Sequence, residues 1–234
     1  MNFKLKILIF LSFFKLQSNS KKNDVLVISL GNACGVAGAL REYNIRNEAY
    51  PFDWIVSPFK SVYAMIETDF DNFLMDNALV IRSDGSAVID TINNFEFVHD
   101  FPTVYSINQT EHEEIQAGKI TSIFLNYLPQ IKEKYNRRIS RFINACKGNK
   151  RVIFIRNRDI SMQQAFALCK LLTQKYPQLN YILVLIDDQN NMCSEMDIFQ
   201  PQIKNFYGTP YINYDNNKSS INWELIFNNL GLIT

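Results

Sequence analysis

A cysteine that follows a buried strand and opens a helix stands where a thiol can become a nucleophile, and Cys34 occupies such a position. The run Asp24-Val-Leu-Val-Ile-Ser-Leu30 is continuous in β-branched and Leu residues, the pattern of a strand buried on both faces of a parallel sheet and, by that reading, its central strand. Gly31-Asn-Ala33 then turns, and Val36 and Leu40 are spaced to share the inner face of a helix predicted to reach about Tyr43. Cys34 falls in the first turn of that helix. There the unpaired N–H groups and the positive end of the helix dipole favour a thiolate, and they can hold the oxyanion of an acyl intermediate. Asn32 and the backbone around Gly35 are the candidate oxyanion donors. The turn is not a G-x-S-x-G elbow, and Gly31, Gly35 and Gly38 form neither a dinucleotide fingerprint nor a P-loop.

A thiol nucleophile needs a base, and the chain has only two histidines. His112 lies in the polar run Glu111-His-Glu-Glu114 and reads as a solvated helix start. His99 ends the alternating segment Phe95-Glu-Phe-Val-His-Asp-Phe101, which places Phe95, Phe97, His99 and Phe101 on one face of a strand. From a strand end beside Cys34 it would take the thiol proton. The carboxylate that orients it would be Asp53, in the short aromatic segment Tyr50-Pro-Phe-Asp-Trp-Ile55 that is extended at its Pro, or Asp100, which a regular strand turns to the opposite face so that it can help only if the strand breaks there. Trp54 and Phe101 would wall the site. Arg156 and Asn157 follow the predicted strand Val152 to Ile155, so they should open onto the same rim as substrate contacts.

The blocks Ile28-Ser-Leu-Gly-Asn-Ala-Cys34-Gly-Val-Ala, Leu40-Arg41, Tyr50-Pro-Phe-Asp-Trp54, Phe97-Val-His-Asp-Phe101, Arg137-Arg138-Ile139 and Phe154-Ile-Arg156 resemble an uncharacterised family labelled "putative papain-like cysteine peptidase". The resemblance runs from Asp24 to about Asp187. It implies Cys34 as nucleophile and His99 as base, and leaves the third role to Asp53 or Asp100. Hydrolysis of a peptide or amide fits these residues; transpeptidation, deamidation or thioester chemistry would use the same ones. A different class of reading is a non-catalytic module that binds a glycan or nucleotide-sugar in the same cleft, with Arg156 and Asn157 as contacts.

These residues need a frame, and the periodicity supplies one. Ser57-Pro58 reads as an N-cap and first-turn proline for a helix with the stripe Phe59, Val62 and Ile66. Leu79 to Ser83 and Ser86 to Asp90 flank Asp84-Gly85, a two-residue type I′ hairpin signal, so an antiparallel excursion is expected around residues 79–90. Thr110 and Glu113 suggest a capping box. Phe124, Leu128, Ile131, Tyr135, Ile139, Phe142 and Cys146 predict a long helix kinked by Pro129 and ended by Gly148. Its other face carries Lys132, Lys134, Arg137, Arg138 and Arg141, as a solvated surface does. Ser161 with Gln164 caps a helix bearing Ala165, Leu168, Cys169, Leu172 and Tyr176. Tyr181 to Ile186 and Phe206 to Tyr214 are further strands, and Trp223 to Leu230 a closing helix. Alternating strands and helices give an α/β fold: a mostly parallel sheet with helices on both faces, three-layer and Rossmann-like.

The whole chain sets the limits. Its 234 residues are 47% apolar and 20% charged with a net charge of +1, enough for one α/β domain over residues 24–234 and without the field that gathers nucleic acid. Residues 1–20, with Lys4 and Lys6 before the apolar run Ile7 to Phe14, have the layout of a short signal peptide. With it the protein would be secreted or periplasmic, and without it cytoplasmic. No stretch approaches the roughly 20 apolar residues of a membrane span. Cys34, Cys146, Cys169 and Cys193 lack C-x-x-C spacing, so no metal site and no cofactor is indicated, although their even number permits disulfides.

Overall fold

The computed structural model describes residues 25–46, 48–104, 118–157, 160–187, 203–207, 210–213 and 218–233. Residues 1–20, with the expected signal peptide, the expected Thr110 capping box, His112 and Cys193 lie outside them. Strand β1 (Val25–Ser29) leads through Leu30 into helix α1 (Cys34–Glu42), and α2 (Phe59–Glu67) follows. Three short strands, β2 (Leu79–Ile81), β3 (Val88–Asp90) and β4 (Phe95–Phe97), form an antiparallel sheet in that order. The long helix α3 (Leu128–Lys147) precedes β5 (Arg151–Asn157), α4 (Met162–Lys175), β6 (Tyr181–Asp187), β7 (Ile203–Tyr207), the pair β8 (Pro210–Asn213) and β9 (Lys218–Ile221), and α5 (Trp223–Asn229).

The main sheet is parallel and ordered β1-β5-β6-β7. Strand β1 therefore lies at an edge of the described sheet and not at its centre; strand order is a long-range property that hydrophobicity alone does not carry. Alternate strand residues feed two cores, as a sheet buried on both faces requires. Val27, Ile153, Ile155, Ile182 and Val184 pack with Val36 and Leu40 of α1 and with Phe227 of α5. Ile28, Val152, Phe154, Leu183 and Leu185 join residues of α2, α3, α4 and the antiparallel sheet in a larger core rich in phenylalanine. Cys146 and Cys169 are buried free thiols, acting as the small hydrophobes their helical positions suggested.

Four local expectations change. Ser57 is not the cap of α2: Pro58 is, and the Ser57 hydroxyl turns away to accept the N–H of Asn32 at 2.9 Å. Pro129 lies in the first turn of α3, where its missing N–H costs no hydrogen bond, so it starts the helix and does not kink it. At the hairpin only Gly85 has positive φ, so the loop is not type I′. Instead Gly85 N–H bonds to Arg82 O at 2.7 Å and Arg82 N–H to Ala87 O at 2.9 Å, closing a longer loop. The segment around Pro51 is a turn and not an extended piece. The Ser161–Gln164 capping box forms as expected, with bonds of 3.3 and 2.8 Å.

Arg156 ties these parts together. Strand β5 runs past Ile155, so Arg156 is a strand residue, 0% exposed. One Nη donates to Leu30 O at 2.6 Å and the other to Ser57 O at 3.0 Å, while the guanidinium lies 5.7 Å from the Phe59 ring centroid. Replacing it with Met should strip donors from two buried carbonyls, each worth about 1–3 kcal/mol when left unsatisfied. Urea unfolding of Arg156→Met is therefore expected to show a loss of about 2–6 kcal/mol, whereas a loss below about 1 kcal/mol would contradict the clamp.

Candidate active site around Cys34

The turn ahead of Cys34 is held in an unusual backbone shape. Gly31 and Asn32 both have positive φ, +79° and +84°. Gly31 is required here: a Cβ on it would lie 1.9 Å from Ser57 Oγ. Asn is among the few residues that tolerate the left-handed region. Gly31 N–H donates to Ser29 Oγ at 3.1 Å and Asn32 N–H to Ser57 Oγ, so both amides serve the turn. Ala33 is the N-cap of α1, with no side-chain cap, and Cys34 is the first helical residue. The helix start is thus left open in front of a half-buried thiol.

That thiol is not pre-ionised. Burial pushes the Cys34 pKa up from its ordinary value, a backbone N–H at the helix start pulls it partly back, and the charge of Asp100 pushes it up again. Desolvation thus outweighs the helix-start effect expected from sequence.

Asp100 exerts this effect because the chain bends after β4. Val56 and Glu96 exchange backbone hydrogen bonds of 3.0 Å, which ties β4 to the segment leading into Ser57. The strand stops at Phe97. Phe97 and Phe101 then pack on each other at 6.0 Å, Phe97 on Tyr135 at 5.6 Å and Phe101 on Phe124 at 5.6 Å. The alternation expected of a continuous strand is lost between them: His99 is exposed, and the Asp100 carboxylate is buried against Tyr135 and Lys134. His99 lines an open cleft of ≈ 730 Å³ with Thr103, Tyr127 and Gln130. No hydrogen bond joins His99 to Cys34.

Neither candidate aspartate holds His99. Asp53 is fully buried and pairs with Arg46, whose guanidinium also lies over Trp54 together with that of Arg41; Tyr50 N–H donates to the same carboxylate at 2.6 Å. The Pro-Phe-Asp-Trp block thus anchors its own turn to the end of the α1 region. Arg156 donates to main-chain carbonyls. Asn157 comes to the site: a Cβ on Gly35 would lie only 3.8 Å from its Nδ2, and its Oδ1 is buried without a hydrogen-bond partner. The basic face of α3 is largely paired, through Lys132–Asp76, Lys134–Asp100, Arg137–Glu133 and Arg141–Glu48. Sequence reading missed Tyr135 and Lys134 as groups holding Asp100, because both looked like ordinary helix residues. Among the described residues no cluster of metal-binding side chains occurs, and no helix is long and apolar enough to cross a membrane.

Burial lifts the Asp53 carboxyl to about 6 despite Arg46. A carboxyl whose pKa is higher folded than unfolded binds its proton more tightly in the folded state, so its contribution to stability falls as pH rises from about 4 through 6. Wild-type protein should therefore gain stability relative to Asp53→Asn when urea titrations are moved from pH 7 to pH 5; a difference that shrinks on acidification would count against this assignment.

Comparison with known proteins gives this chain relatives. Residues 25–191 match the family described as "putative papain-like cysteine peptidase". An uncharacterised protein of Acanthamoeba polyphaga mimivirus is 26% identical over 239 residues, covering 88% of this chain and 99% of the relative. No solved structure matches.

Proposed function

We propose, because the chain belongs to this family of "putative papain-like cysteine peptidases", that it is a thiol-dependent acyl-transfer enzyme, a peptidase or amidase, with Cys34 as nucleophile and His99 as proton carrier. The observation that carries the reading is the place of Cys34: first residue of α1, on an uncapped helix start, behind a turn of two positive-φ residues held by Ser57. The fold that goes with this reading is a three-layer, Rossmann-like sandwich, supported by the two cores on the faces of the parallel sheet.

In this mechanism the Cys34 sulfur bonds to the substrate carbonyl carbon as His99 takes the thiol proton. The carbonyl electron pair moves to oxygen, which the first N–H groups of α1 and the amide of Asn157 receive. Collapse expels the amine, which carries away the proton from His99, and leaves a thioester. Water then attacks, giving its proton to His99, and the departing sulfur recovers it. Cys34 and His99 share no hydrogen bond, and in this reading the bound substrate aligns the pair. A glycan-binding reading depends on Arg156 and Asn157 as contacts; Arg156 donates to Leu30 and Ser57, so thiol chemistry is the reading retained.

Incubation with p-nitrophenyl acetate tests it. Wild-type protein is expected to release a burst of p-nitrophenol stoichiometric with enzyme and to carry an acetyl group on the Cys34 peptide by mass spectrometry. Cys34→Ala should lose both, and His99→Ala should acylate about 10²-fold more slowly. Acetylation of Cys34 no faster than that of free cysteine, and indifferent to His99→Ala, would end the proposal.

A further inference from the structure

Two guanidiniums lie over the ring of Trp54, and they are engaged differently. Arg46, 5.6 Å from the ring centroid, is held inside the fold: it pairs with Asp53, and its Nη groups donate to Glu48 O at 3.0 Å and to Ala37 O, within α1, at 3.4 Å. That grip ties the Trp54 turn to the helix that carries Cys34. Arg41, 5.7 Å from the same centroid, is exposed, and among the described residues its side chain has no hydrogen bond or ion pair. Stacking on an aromatic face orients a guanidinium while its edge, where the N–H donors lie, stays open to a ligand.

Arg41 also shares a face with the thiol. Cys34, Gly38 and Arg41 stand at i, i+4 and i+7 of α1. At about 100° and about 1.5 Å per residue, seven positions return to within about 20° of the start and cover about 10 Å. Val36 and Leu40 face the other way, into the core that α1 shares with the sheet. Between thiol and guanidinium lies bare backbone. Gly38 has no positive φ that would require a glycine, and a Cβ built on it would meet nothing within 4 Å. Glycine inside a helix is destabilising relative to alanine, and neither backbone nor packing accounts for it here.

We propose that the outer face of α1 is the binding track for the acyl substrate, running from Cys34 over Gly38 to Arg41, and that Arg41, backed by Trp54, reads a carboxylate on that substrate. The inference rests on the role given above to Cys34. A carboxylate offers two acceptors to the planar fork of the guanidinium. At roughly 3.3–3.6 Å per extended residue, the track is about three residues long. The substrate is thus an acidic peptide whose carboxylate lies about three residues from the carbonyl attacked. An exposed pair contributes a factor of a few, so it acts on the choice between substrates.

Affinity labelling of the full chain tests this without turnover. Maleimidohexanoic acid, whose chain spans a comparable distance, and its uncharged carboxamide are compared by their rates of Cys34 modification, followed by peptide mapping. Wild-type protein should prefer the acid about threefold to fivefold. Both rates report the same thiol, so its exposure and proton affinity cancel from the ratio. Maleimidoacetic acid, too short to reach Arg41, should show no such preference over its amide. Arg41→Gln should abolish the preference for the longer acid. So should Gly38→Gln, which puts a side chain in the track while raising helix propensity. No preference in wild type, a preference indifferent to either substitution, or an equal preference for the short acid, the mark of a general positive field, would each overturn the proposal. The labelling needs no acyl transfer, so a missing p-nitrophenyl acetate burst tells against the acyl-transfer reading alone.

Discussion

Everything near Cys34 depends on one buried cation. Arg156 reaches from β5 to the carbonyl that ends β1 and to the carbonyl that precedes α2, two points 27 residues apart in sequence. A guanidinium presents several donors in a rigid plane, and here that plane sets the spacing between strand end and helix start. Ser57, whose carbonyl it takes, offers its hydroxyl to Asn32. The turn that lifts Cys34 onto α1 is therefore fixed from below by Arg156 and from the side by Ser57. Gly31 has to lack a Cβ because Ser57 Oγ occupies the space that one would need.

The same frame places the segment that carries His99 and Asp100. The residues just before Ser57 bridge to β4 through Val56 and Glu96, so the clamp and the antiparallel sheet share one segment. Just beyond the bridge the aromatic pair Phe97 and Phe101 closes a bend. Burial of both rings is worth more than continuing a three-residue strand at the edge. The bend is what turns Asp100 inward and His99 outward, and so packing of the hydrophobic core decides which way each side chain faces.

Local features were legible in the sequence because they are encoded locally. The first strand, the helix after Gly31, the buried stripe of α4 and its capping box all follow from short-range spacing, and so does the position of Cys34 at a helix start. What escaped is pairing across distance. Arg156 read as a rim contact because an arginine at a strand end is ordinarily solvated, and only the carbonyls of Leu30 and Ser57 make its burial possible. Asp53 read as a partner for histidine, yet Arg46 takes it. A regular strand through Phe101 would bury His99 beside Phe97 and leave Asp100 outside; the strand ends at Phe97, and the two exchange places. The partners of Asp100, Lys134 and Tyr135, lie 34 and 35 residues on and carry no motif. The helix-start argument for Cys34 stated the sign of one effect correctly and omitted the larger one, desolvation.

That omission bears on how the site would work. A cysteine ionised at rest is already a nucleophile, and also a target for any electrophile or oxidant in reach. A neutral thiol is protected from both, but as a nucleophile it needs a base. At Cys34 the open helix start favours the thiolate and burial disfavours it, and burial prevails. The fold thus offers this thiol a place to react without ionising it in advance, because the same packing that sets α1 against the sheet takes the sulfur partly out of water.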